Sequence, residues 1–167
     1  MTADEVRDRI ELSWQELVEL ATGLDEDTFE TPGPDGWSIK DHLVHVAAWE
    51  HWLLALFEGR DKLAAMGAAG SDRDVDAVNA AVWQLHRNDS AEAVWRYFRD
   101  AHGQLKKALA GKTTADFEQP YATFFPGAGD GDSDQQPVLV AVAANTYDHY
   151  SEHVGWIREQ TGKPAPS

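Results

Sequence analysis

Apolar residues recur at helical spacing over four long stretches of the chain, and clusters of turn-forming residues separate them. Val6, Ile10, Trp14, Leu17, Ala21 and Leu24 share one face of the first stretch. Thr2 and Glu5 stand three apart, as in a reciprocal capping pair, which predicts a helix over about 3–23. The segment TPGPDGW at 31–37 must break it. Ser38 and Asp41 repeat the capping pattern, and Ile39, Leu43, Val46, Leu53, Leu54 and Phe57 carry a second helix to near Gly59. GAAGSDRD reads as a connection, and Val75, Val78, Val82 and Leu85 as a weaker helix. Asp89 to Glu92 then caps a stronger one bearing Val94, Phe98, Ala101 and Leu105. Pro, Gly and Asp crowd residues 111–137 too densely for a regular element, and a last helix follows from Pro137 to about Gln160. No stretch alternates like a strand and no internal repeat is visible. The expected fold is all-α, an antiparallel bundle of four principal helices with a short fifth, in one domain spanning 1–167.

Composition narrows the function. With 43% hydrophobic residues in 167, the chain can bury a real core. Its formal net charge of -15 repels nucleic acid and anionic membranes at long range, so neither is an expected partner. It has no cysteine, which removes thiolate nucleophiles and cysteine metal sites and leaves His, Asp and Glu as the donors for any metal. The first residues lack the pattern of a signal peptide, and the apolar run VLVAVAA at 138–144 is too short to span a bilayer, so a cytoplasmic protein is expected. Seven tryptophans fill a core or line a pocket; Trp37, Trp49 and Trp52 surround the second helix and Trp156 lies in the last.

The candidate chemistry is carried by histidines. His149 and His153, four apart, fall near the centre of the face that Val138, Val142, Trp156 and Ile157 build on the last helix. Two inward imidazoles one turn apart compete for the same hydrogen-bond partners, and a divalent cation would satisfy both. A third ligand must come from another helix. The second helix offers His42 and His45, between which periodicity does not choose, while His51 faces outward. Glu50 falls within the apolar stripe, where it is either a salt-bridged or protonated core carboxyl or else a ligand, a partner behind a ligand or a general base. Asp41 suits the first turn of its helix, and could otherwise accept from the His45 ring. Asn145 and Tyr150 flank the inward face within reach of a ligand or of local groups. His86 and His102 read as ordinary surface or partly buried residues. Asp130, Asp132 and Asp134 are spaced like the start of a calcium loop but lack its glycine and distal glutamate, so a solvated loop, long enough to form a lid, is expected.

The blocks GWSIKDHLVHVAAWEHWL and NTYDHYSEHVGWI resemble the DinB/YfiT-like superfamily, nearest its ClbS/DfsB-type members. The resemblance implies a four-helix bundle of up-down-down-up connectivity. It selects His45 over His42 and implies a nickel or zinc site of His45, His149 and His153. It further implies a homodimer and a metal-dependent hydrolase or thiol-dependent S-transferase, detoxifying a small electrophile with a low-molecular-weight thiol as possible co-substrate. In such an enzyme the open coordination position would activate water or a thiol, and Glu50 would orient the bound group or carry its proton. The competing expectations are a protein that sequesters a small molecule without turnover, a metal-independent hydrolase, and a purely structural metal site in a dimer.

Overall fold

The capping pairs set the helix starts. In the computed structural model, which describes residues 1–71, 74–125 and 134–164, Thr2 and Glu5 form a capping box and open α1, Ala3–Thr22. A short α2, Glu26–Glu30, begins on Asp25. Ser38 and Asp41 form a second box and open α3, Ile39–Glu58, which stops at Gly59 in the left-handed region, φ 64°. One unexpected turn, α4, Lys62–Ala65, follows. Next come α5, Val75–His86, and α6, Ala91–Ala110. The cap of α6 is Ser90, whose Oγ accepts from the Ala93 N–H, while the Asp89 carboxylate turns back to His86 Nδ1 at 2.7 Å.

The stretch expected to lack regular structure contains α7, Thr114–Glu118, because Thr113 and Asp116 make a third capping box. A 3-10 turn over Tyr121–Thr123 follows, and a single bridge joins Pro120 to Pro137. The Asp130 and Asp132 part of the calcium-like pattern, and any lid at 126–133, lie outside the described residues.

The last helix is two. α8, Val138–Asn145, ends at Thr146, whose φ of -132° and ψ of -109° are not helical, and α9 runs Tyr147–Thr161. Thr146 Oγ1 donates to the Val142 carbonyl at 2.6 Å and Asn145 Nδ2 to that of Ala141 at 2.8 Å. These side chains take over the backbone acceptors of the previous turn and break the ladder.

The described residues are all-helical apart from turns and that one bridge, and none of their helices is long and apolar enough to cross a membrane. The expected apolar faces meet in one core: Val6, Ile10 and Leu17 of α1, Leu43, Val46 and Leu53 of α3, and Phe98 and Leu105 of α6 are buried. α3 packs most extensively on α6, and α1 on α9. Between α1 and α6, Arg7 donates to the carbonyls of Leu109 and Lys112, and Trp14 stacks on His102 and Phe98. Between α1 and α9, Arg158 donates to Glu16, and Arg9 lies over the Tyr147 ring. No described tryptophan is fully buried, so core filling alone does not account for them.

The Ser38 box holds the first turn of α3, which carries the site histidines. Ser38 Oγ accepts from the Asp41 N–H, and the Asp41 carboxylate accepts from the Ser38 N–H and Oγ–H. Ser38→Ala is expected to cost about 1 kcal/mol of stability in denaturant unfolding. Asp41 thus serves the helix start.

Candidate metal centre

One face of α3 carries His42, His45 and Trp49, and one face of α9 carries His149, His153 and Trp156. The break at Thr146 lies just before His149, so α9 takes its rotational phase independently of α8. The two faces border a cavity of about 790 Å³, with Trp37, Asn79 and Glu152 also in its wall.

At this cavity His45 Nε2 lies 3.0 Å from His149 Nε2, which lies 3.1 Å from His153 Nε2. The three candidate ligand atoms are all within 4.8 Å of one another, and no carboxylate belongs to the cluster among the described residues. Burial pushes the His45 imidazole down to about 2, with the neighbouring His149 and His42 rings adding to the effect. It pushes His149 down to about 4 and His153 well below the ordinary histidine value. The rings are therefore neutral near pH 7, the form that binds metal. A neutral ring has one N–H, so three nitrogens turned on one another cannot all find partners, whereas one cation accepts three lone pairs together. Tetrahedral zinc with bonds of about 2.0–2.1 Å needs nitrogens about 3.3 Å apart, a few tenths of an ångström wider than the two distances found. The donor set fits a metal, and three imidazoles suit zinc, nickel, copper or iron.

His42 and His45 both reach this region. His45 joins the three Nε2 atoms, and His42 stands behind His153, with Nδ1 to Nδ1 2.8 Å. If His153 offers Nε2 to a cation, its proton resides on Nδ1 and is donated to His42. The spacing of His42 and His45, three apart on one helix, was the signal in the sequence that both could face the same way. His42→Ala is expected to weaken metal binding about 10–100-fold without abolishing it, as read by competition with a chromophoric chelator.

Glu50 is not brought to the cavity. It is 0% exposed; its Oε1 accepts from the Tyr150 hydroxyl and lies 2.9 Å from His102 Nδ1. Oε2 has no partner among the described residues. Burial raises its carboxyl above the ordinary value, and the His102 and Tyr150 contacts pull it back. His102 is not the surface or partly buried residue expected: it is buried, stacks on Trp14 at 4.1 Å, and has Nε2 3.7 Å from Glu11. Tyr150, fully buried, points to Glu50 and does not line the cavity, whereas Asn145 does. His51 lies half-buried against Tyr97.

The histidine shifts fix a sign. The unfolded chain titrates His45 and His149 near 6.5, while the folded chain resists their protonation down to about 2 and about 4. Below the ordinary value the unfolded state binds more protons, so metal-free protein loses stability as pH falls from 6.5 toward 4. Urea unfolding in chelator at two pH values within this window should show that loss, and a smaller one for His149→Gln.

A family model of the DinB superfamily matches residues 9–156. Comparison with curated proteins finds no match. The crystal structure of a Streptococcus pneumoniae protein, solved by the Northeast Structural Genomics Consortium, shares the fold: its TM-score is 0.73 at 10% identity, over 97% of this chain and 91% of that one. The residues matched by the family model include His42, His45 and Trp49 of α3 and His149, His153 and Trp156 of α9. The chain belongs to the DinB superfamily.

Proposed function

We propose that the protein is a metal-dependent enzyme that acts on a small electrophilic compound, by hydrolysis or by transfer to a low-molecular-weight thiol. His45, His149 and His153 hold the ion, zinc or nickel. The observation that carries this reading is the convergence of three neutral Nε2 atoms at a cavity, with no carboxylate completing the set among the described residues. A divalent ion bound by three protein ligands supplies Lewis acidity at an open position, lowering the pKa of water or a thiol there. The chain's own part is to keep the imidazoles neutral by burial, to fix His153 through His42, and to screen the site with Trp37, Trp49 and Trp156. In this reading the partners are small molecules in the cytoplasm rather than nucleic acid or membrane, and the fold is an up-down-down-up bundle, with a homodimer implied by resemblance alone. Pairing of residue 7 with 109 and 16 with 158 supports that connectivity: α1 runs against α6 and along α9.

A second reading, sequestration without turnover, is favoured by the position of Glu50, because the carboxylate expected as proton carrier does not line the cavity. Elemental analysis of untagged protein purified without chelator, followed by thiol-transfer and hydrolysis assays across a series of metal loadings, separates the two. Turnover that scales with occupancy supports the enzyme. Stoichiometric ligand binding with no turnover at full loading supports sequestration, and protein that takes up no metal even after reconstitution overturns the metal site.

A further inference from the structure

Metal holding gives no role to the carboxylates of the cavity, and screening the ion does not use the open face of Trp156. Along α9, Glu152, Trp156 and Glu159 follow at spacings of four and three, which places them on one face. They span about 10 Å of helix, and all three line the cavity. Trp156 is 48% exposed, its ring centroid 4.8 Å from that of His153. An indole left this open beside a cavity is a ready contact surface for a ligand. Glu152 and Glu159 are exposed, and neither makes an ion pair or side-chain hydrogen bond among the described residues.

Trp37 and Trp49 add two further indoles, with ring centroids 5.0 and 6.2 Å from that of His45. Trp49 is held by its Nε1–H, which donates to Asn79 Oδ1 at 3.1 Å. Asp35 contributes a third carboxylate, one oxygen of which accepts from the Trp37 N–H at 3.0 Å. No lysine or arginine lines the cavity among the described residues. His149, which also lines the cavity, is 9% exposed, and its buried Nδ1 has no partner among the described residues.

We propose that this cavity selects a small organic cation, an amine whose apolar or aromatic body lies among Trp37, Trp49 and Trp156 and whose ammonium faces Glu152 and Glu159. The proposal rests on reading the cavity as the substrate site and names the class of molecule that site admits. Indole faces attract cations through their quadrupole and bury apolar bodies equally well. Unpaired carboxylates favour positive charge and turn away anions, as does the chain's net charge of -15. A carboxylate-bearing ligand would meet repulsion at the rim with no cation in the described wall to offset it.

The test uses chelator-treated protein, so that no amine can bind through a metal, and three probes that share one ring: 2-phenylethylamine, 2-phenylethanol and 3-phenylpropionate. Binding is followed by tryptophan fluorescence and calorimetry at low salt. The amine should bind about tenfold more tightly than the alcohol and more tightly still than the acid. This preference should shrink in 0.5 M salt and in the Glu152→Gln, Glu159→Gln double variant, whose sites are exposed and whose fold circular dichroism can verify. Equal affinities for the amine and the alcohol, tighter binding of the acid, no binding of the amine at millimolar concentration, or a preference that survives the double variant overturns the proposal. Metal content of untreated protein is measured separately, so failure here leaves the histidine site standing, and the reverse.

Discussion

His153→Ala will abolish the stabilisation that metal gives the parent protein. At free zinc about 100 times the dissociation constant, binding to the folded state alone adds about 2.7 kcal/mol. The variant retains only His45 and His149, too few for a closed site, and its melting temperature should not respond to zinc. A separate cost appears without metal: His153 is 0% exposed, and its removal leaves His42 Nδ1 without its partner, worth about 1–3 kcal/mol. The two effects are distinguished by measuring both proteins in chelator and in zinc. His86→Ala is the control, since His86 contacts Asp89 and Tyr97 away from the cavity, and it should keep the whole zinc response. A His153→Ala protein that zinc stabilises as much as the parent would sink the assignment.

Legibility in the sequence followed the range of the interaction. Helix starts were readable because capping is settled within three residues: the Thr2 and Ser38 boxes stand where the chain suggests them. The same local rule holds at Thr113, whose box starts α7 inside a segment whose helix breakers mask it. The break at Thr146 was hidden because a threonine bonded to the carbonyl four residues back looks, in sequence, like any helical threonine. A single wheel drawn across that break put Trp156 on the core face, whereas it stands half-exposed beside the cavity. At the site, the spacing of His149 and His153 was plain, but the second-helix contribution needed resemblance to choose between two residues that both face inward. Glu50 was readable as buried from its place in the apolar stripe. Its partner was not, because His102 lies 52 residues away on a helix whose local pattern says nothing of what faces it.

Glu50→Ala will test what that burial means. The substitution strands the Tyr150 hydroxyl and His102 Nδ1 in a dry core, and breaking a buried charge-capable pair by removing one member costs about 3–5 kcal/mol. Metal occupancy at saturating zinc should be unchanged, because no atom of Glu50 belongs to the histidine cluster. A glutamate that carried protons at the metal would behave in the opposite way, with activity lost and stability kept, so unfolding and metal titration of one variant discriminate the roles. The network also predicts non-additivity. Once Glu50 is gone, His102 has lost its bond at Nδ1 and keeps its longer contact to Glu11, its stack on Trp14 and its edge contact to the Tyr150 ring. Removing His102 as well should then cost less than it does in the parent, with a coupling of about 0.5–3 kcal/mol between the two sites. Additive losses would mean that the pair is not coupled. A Glu50→Ala protein as stable as the parent would mean that the carboxyl, though buried, contributes nothing net to the fold.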